Sequence, residues 1–254
     1  MDNICHMQKL YGWGFPVDIS THGASIDRLI IIIHVLMAGL FAGWFLYLVI
    51  ALVRFRARPG HRAVTADSHF KLPTYLEVVI AVIEILLLFV FSIPLVRQVR
   101  AAQVGPGAVE IRVVAEQFAW NVHYPGPDGV FGRTDPKLVN TTNPLGLDPA
   151  DPAGADDITT INQLHIPVDT PVRVELSSKD VIHCFSIPVM RVKQDAIPGH
   201  RVPISFQATR TGDYQVACAQ LCGLGHYRMA GFFTVHTADE FKTWLAEQAA
   251  NKNA

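Results

Sequence analysis

Two long apolar runs lie near the start of the chain, and none like them follows. Leu29 to Val53 is apolar apart from His34, enough to cross a bilayer with some tilt. Gly39 and Gly43 form a G-x-x-x-G within it, a spacing that lets another helix come close. The second run covers 73–99 and opens on Pro73. It carries two carboxylates, Glu77 and Glu84, on one helix face and about 10 Å apart along the axis. Carboxylates inside a span usually face protein or water, so both are functional candidates. The plainer reading of Glu77 is an interfacial residue solvated at the end of its span. Between the runs lie Arg54, Arg56, Arg58, Arg62 and Lys71, with a turn at Pro59-Gly60. That concentration of basic residues predicts a cytoplasmic loop, with both chain ends outside. Residues 1–28 contain no apolar run of the kind a cleaved signal needs, and Cys5 has none before it. They are expected to be an exported tail.

After a linker at Gly105-Pro106-Gly107 the period changes. Val109–Val114 alternates, and short runs recur at 161–166, 171–177, 182–188, 201–208, 213–218 and 230–236. Short alternating segments separated by turn residues predict a β-sandwich or barrel. Residues 125–158, rich in Pro, Gly, Asp and Asn, predict a long irregular loop. Thr237-Ala-Asp-Glu240 is a capping box that opens a helix to about residue 248. Its apolar residues Phe241, Trp244 and Leu245 share one face. The expected organisation is a tail (1–28), a transmembrane hairpin (29–103) and an exported domain (108–254).

Composition fits an anchored protein. Half the residues are hydrophobic and 17% are charged. A formal net charge of −1 gives no basis for nucleic-acid binding. Four cysteines are too few for a disulfide framework, and none sits in a C-x-x-C-H haem-attachment motif.

The chemistry concentrates in residues 218–229, Cys-Ala-Gln-Leu-Cys-Gly-Leu-Gly-His-Tyr-Arg-Met. Cys218, Cys222, His226 and Met229 offer thiolates, an imidazole and a thioether, which suit copper and not calcium or magnesium. Zinc rarely uses methionine. A mononuclear blue-copper site needs one cysteine and two histidines, so here one thiolate is surplus. Two thiolates separated by three residues can instead bridge a pair of copper ions, with one terminal histidine and one weak ligand for each. The second histidine must then come from elsewhere. The alternative is a Cys218–Cys222 disulfide closing a surface turn, which leaves His226 and Met229 without a purpose. Gly223 and Gly225 let the loop bend tightly.

Upstream lie Asp180-Val-Ile-His183-Cys-Phe and Arg191-Val-Lys-Gln-Asp195-Ala-Ile-Pro-Gly199. D-V-x-H-x-F, R-x-K-x-D-A-x-P-G and C-x-x-x-C-G-x-x-H-x-x-M, in this order, resemble the dinuclear copper (CuA) domain of cytochrome c oxidase subunit II. The resemblance extends over nearly the whole chain. It implies a membrane-anchored all-β architecture: a two-helix hairpin, then a cupredoxin-like Greek-key β-barrel with a short C-terminal helix. It implies the ligand set His183, Cys218, the carbonyl of Gln220, Cys222, His226 and Met229. It also implies that Glu77 is the glutamate at the mouth of a proton path into subunit I.

Two positions depart from the family pattern. Gln220 stands where most members have a glutamate that helps hold magnesium or manganese at the subunit interface, which puts that ion in doubt. Phe118 stands where most have the tryptophan that takes electrons from cytochrome c. Trp120, two residues on, falls on the same face if 116–122 is a strand; otherwise it is a packing aromatic. Cys184 is expected to point away from the metal. Asp148, Asp151, Asp156, Asp157, Asp180 and Asp195 are expected to form an acidic docking surface.

The reading that follows is the electron-accepting subunit of a haem–copper oxidase in a bacterial inner membrane, its C-terminal domain periplasmic. Electrons pass from a c-type cytochrome to the copper pair and on to haem in subunit I, where O2 becomes water. The partners expected are subunit I, the other oxidase subunits, the cytochrome and membrane lipids. The alternatives are the copper subunit of a nitric oxide reductase and a membrane-tethered copper-delivery protein.

Overall fold

The structure, a computed structural model, describes residues 14–60, 71–101 and 107–252. The first half of the tail, Cys5, Arg62 and the start of the 105–107 linker lie outside the described residues. The chain divides into two compact units: Ser25–Gln98, and a second formed by Met1–Ala24 with Val99–Ala254.

The first unit is the helical hairpin. Helix α1 runs Gly23–Arg54. The returning helix starts on Leu72 with proline in its first turn, where a missing N–H costs nothing, and runs to Leu86 as α2. A π-helical turn, Leu87–Ser92, joins it to α3, Ile93–Ala101. Both helices are long and apolar enough to cross a membrane. A Cβ built on Gly39 or Gly43 meets nothing within 4 Å, so the returning helix does not close onto that motif. An apolar groove separates them there, lined by both glycines, Trp44, Leu76 and Ile80.

The second unit is a cupredoxin-like sandwich of two five-stranded sheets. The strands are β1 (Val109–Glu116), β2 (Ala119–Tyr124), β3 (Ile158–Ile161), β4 (Gln163–Pro167), β5 (Pro171–Ser178), β6 (His183–Ile187), β7 (Val192–Ala196), β8 (Val202–Gln207), β9 (Gly212–Cys218) and β10 (Ala230–His236). One sheet has the order β3-β2-β1-β5-β8, the other β4-β10-β9-β6-β7. Strands β1 and β5 pair in parallel, as do β4 and β10; the other pairings are antiparallel. Alternate side chains from both sheets, among them Val113, Leu176, Phe185, Ile187, Val216 and Phe233, fill one core. Helix α4, Ala238–Lys252, starts on the Thr237–Glu240 capping box, with the Thr237 N–H donating to Oε2 of Glu240 at 2.8 Å.

Three local features differ from the sequence expectations. The run 161–166 is not one strand. Asn162 takes a left-handed backbone, φ 57°, and the chain changes sheet there. Strand β7 adds a short edge strand beside His183. The described part of the tail packs on the sandwich: Ile19 is fully buried in the core, Ser20 bridges Ala208 beyond β8, and Thr209 N donates to the carbonyl of Ile19 at 2.7 Å. Arg191, with a left-handed φ of 55°, donates from its guanidinium to the carbonyls of Pro16 and Val17 and so clamps the tail.

Candidate metal centre

The ligand residues meet at one end of the second sheet. His183 begins β6, Cys218 ends β9, and the loop between β9 and β10 carries the rest. Backbone bonds fold that loop back on itself. The Cys218 N–H donates to the carbonyl of Met229 at 2.9 Å, and a 3-10 turn over His226–Arg228 closes with Met229 N to His226 O at 3.1 Å.

The side chains converge as the soft-ligand reading requires. The sulfurs of Cys218 and Cys222 lie 3.9 Å apart. Nδ1 of His183 is 4.0 Å from the Cys218 sulfur and 3.1 Å from Met229 Sδ. Nδ1 of His226 is 3.6 Å from the Cys222 sulfur, and Met229 Sδ is 3.7 Å from it. The Gln220 carbonyl accepts from the Cys218 thiol at 3.1 Å, so its oxygen also faces the cluster. His183, Cys222 and Met229 are buried, Cys218 and His226 half-buried.

This donor set fits a metal. A thiolate bond to a borderline ion such as zinc is about 2.3 Å, so an ion touching both sulfurs needs them within about 4.6 Å of each other; they meet that limit. Burial, reinforced by the neighbouring Cys218 sulfur, pushes the Cys222 thiol up to about 11. Two thiolates side by side in such a place need a cation to hold them ionised.

Surrounding residues fix the ligands in place. Nε2 of His183 meets Oδ1 of Asp180 at 2.9 Å, which leaves Nδ1 for the cluster. Burial alone would raise the Asp180 carboxyl, but hydrogen bonds from His183, Gln117 N and Val181 N hold it below its ordinary value. Gln117, in the turn between β1 and β2, donates from its backbone to Asp180 Oδ2 at 2.7 Å and from Nε2 to the carbonyl of Cys222 at 2.6 Å. Nothing in its local sequence marks Gln117 for this role, because both partners are remote in the chain. A Cβ on Gly225 would run into the Phe118 ring, and one on Gly223, where φ is 134°, would come within 2.7 Å of Gln117 Nε2. The two glycines thus allow the β1–β2 turn to press onto the loop.

Trp120 does not share a face with Phe118. The chain turns at 117–118, which ends the alternation, and Trp120 is 1% exposed. Its ring packs edge-on against His183 and Phe185, with centroids at 6.2 and 5.4 Å. Phe118 stays half-buried beside the loop, with the Arg228 guanidinium 5.9 Å from its ring centre. Cys184 lies outside the cluster; burial and then Asp195 push its thiol up to about 12. The acidic surface is partly spent: Asp157 is buried against His123, Asp148 pairs with Arg133 at 2.7 Å, and Asp180 turns to His183. The exposed surface over the site carries three large apolar side chains, Leu221, Leu224 and Tyr227 at 76, 98 and 86% exposure, beside exposed Gln220 and Arg228. Glu77 and Glu84 lie on α2, both exposed in the isolated chain.

Fold and site together define a membrane-anchored cupredoxin-like domain with a cysteine-centred cluster of soft side chains able to hold a metal. Residues 109–234 match the family model described as cytochrome C oxidase subunit II, periplasmic domain. The alternative cytochrome c oxidase subunit 2 of Bradyrhizobium diazoefficiens is 32% identical over 237 residues, covering 93% of this chain and 84% of that protein. The probable cytochrome c oxidase subunit 2 of Rickettsia bellii is 29% identical over 202 residues, 79% of this chain and 71% of that one. Among solved structures, the periplasmic domain of subunit II of cytochrome oxidase (CoxB) of Bradyrhizobium japonicum is similar at 28% identity, with a TM-score of 0.43, over 58% of this chain and 98% of that one. The chain belongs to the cytochrome c oxidase subunit II family, whose members are subunits of haem–copper oxidases.

Proposed function

We propose that the chain is the electron-accepting subunit of a haem–copper terminal oxidase in a bacterial inner membrane. It takes electrons from a c-type cytochrome and passes them to haem in subunit I for reduction of O2 to water. The observation that carries this reading is the pair of cysteine sulfurs 3.9 Å apart, flanked by two imidazoles and a thioether. His183, Cys218, the Gln220 carbonyl, Cys222, His226 and Met229 would hold two copper ions, which when bound supply a one-electron couple shared over both sulfurs.

The chain's own residues do the rest. Asp180 and Gln117 hold the ligands at fixed separations, so little has to move as the charge changes. Trp120 and Phe185 exclude water from the His183 side. His226 is the more exposed histidine, and Leu224 and Tyr227 beside it form an apolar rim on which a redox partner can seat closely. The Ser20–Ala208 bridge supports a topology in which the tail and the sandwich lie on one, periplasmic side, with the arginine loop on the other. Glu77, about two turns from that loop, is placed to take up protons for subunit I.

Metal analysis of the full-length chain in detergent tests this reading. Two coppers per chain and a mixed-valence spectrum are expected, both lost in Cys218→Ser and Cys222→Ser. One copper with a blue mononuclear spectrum would refute it.

A further inference from the structure

The 125–158 loop and the outer face of the first sheet border an open cleft of about 450 Å³ that uses none of the copper-ligand residues. The parallel register sets Arg112 of β1 beside Glu175 of β5, and Val114 beside Ser177. Alternate residues of the two strands thus make its floor. Val139 and Leu145 of the loop make its apolar wall. That wall is fixed by the loop's own hydrogen bonds. Asp135 N donates to Gly146 O at 2.8 Å, and Asn143 exchanges two bonds with the backbone of Leu147, each 2.9 Å.

Cationic side chains outnumber carboxylates along the lining itself, with Glu116 and Asp157 set beside and behind it. Arg112, Lys179 and Arg201 line it against one carboxylate, Glu175. Lys179 is matched by Glu116 at 2.6 Å. The two arginines turn to the same oxygen: Nη1 of Arg201 is 2.9 Å and Nε of Arg112 3.7 Å from Glu175 Oε1. A guanidinium can engage a whole oxyanion through two parallel bonds, and neither has that here in Glu175. The Arg112 guanidinium also lies 4.0 Å over the Phe131 ring. Behind it the buried pair His123 and Asp157, 2.6 Å apart, closes the floor. Burial lowers Arg112 from its ordinary value; Glu175 and Asp157 offset part of this, and the Arg201 charge adds to it. A further anion would relieve that repulsion.

We propose that this cleft binds a small organic anion, a carboxylate or phosphate on an apolar body. Arg112 and Arg201 hold the oxyanion, and Val139 and Leu145 cover the body. The volume lies within the range of ligand pockets, roughly 300–1,000 Å³.

Isothermal titration of the full-length chain in detergent with phenyl phosphate, benzoate and inorganic phosphate tests this. One site per chain is expected for phenyl phosphate or benzoate, and the tighter of the two identifies the oxyanion. Inorganic phosphate should bind about tenfold more weakly than phenyl phosphate, since it leaves the apolar wall uncovered. Arg201→Gln should weaken binding about tenfold; this side chain is mostly exposed, so the fold does not depend on it. Val139→Asp, which sets a carboxylate in the wall, should weaken it at least as much. Absence of saturable binding of either organic anion up to about 10 mM overturns the proposal. So does binding that Arg201→Gln and Val139→Asp both leave unchanged, or inorganic phosphate binding as tightly as phenyl phosphate.

Discussion

Asp180 Oδ1 and His183 Nε2 are 2.9 Å apart, and this contact decides which imidazole nitrogen faces the sulfurs. Without the carboxylate the ring loses its fixed tautomer but keeps its packing against Trp120. Asp180→Ala should still fill with copper at saturation, with affinity lowered about 10- to 100-fold. Competition against a copper chelator measures this. Wild-type affinity in the variant would show that packing alone orients the ring.

Phe118 and Gly225 exclude each other's growth. Gly225→Ala should distort the ligand loop and reduce copper content, because its new methyl meets the Phe118 ring. Phe118→Ala in the same chain should restore the loss. A double-mutant cycle read by copper affinity gives the coupling, expected at about 0.5–3 kcal/mol. Additive effects would mean that the ring does not press on the loop.

Glu77→Ala should slow steady-state oxygen reduction by the assembled oxidase, while stopped-flow reduction of copper by the donor stays at the wild-type rate. The carboxylate sits on α2, far along the chain from every candidate metal ligand. Turnover at the wild-type rate in an intact complex would leave Glu77 as a solvated interfacial residue only.

His165 and His236 share a short contact, Nδ1 to Nε2 at 2.8 Å, with the Trp244 ring of α4 stacked 4.2 Å from His165. Burial, followed by the His236 ring, pushes His165 from 6.5 down to about 4. The unfolded chain therefore binds more protons than the folded one between these values. Stability is at its full value above about 6.5 and falls as the pH drops toward 4, by on the order of 1–2 kcal/mol after allowing for solvent screening. Thermal unfolding at pH 7 and 4.5 checks the sign: wild type should lose more than His165→Phe.

The features most legible in the sequence were those written locally. The spans showed because bilayer length and apolarity are properties of single segments. Four of the candidate ligand side chains fall within twelve residues, 218–229, so spacing alone brings them out. Trp120 packs inside because the chain turns at 117–118, and a two-residue period cannot reveal such a turn. Gln117 was missed because its value lies in Asp180 and Cys222, which only tertiary folding brings near. The long loop showed as irregular, yet its order comes from side chains such as Asn143 and Asp135 bonding to nearby backbone, which leaves no periodic trace.

The place of Ile19 in the core has a consequence for biogenesis. A residue made before the first span completes a domain made after the second. With the hairpin in a bilayer and both its ends on one side, as proposed above, the tail reaches that side first and waits for the sandwich residues made after the second span. The sandwich can close only when both ends of the hairpin have reached the same compartment, so maturation of the domain reports correct insertion of the anchor. A domain cut free at residue 107 would carry a hole the size of an isoleucine, worth roughly 2–5 kcal/mol. Added in trans, a peptide covering residues 14–24 should partly refill it.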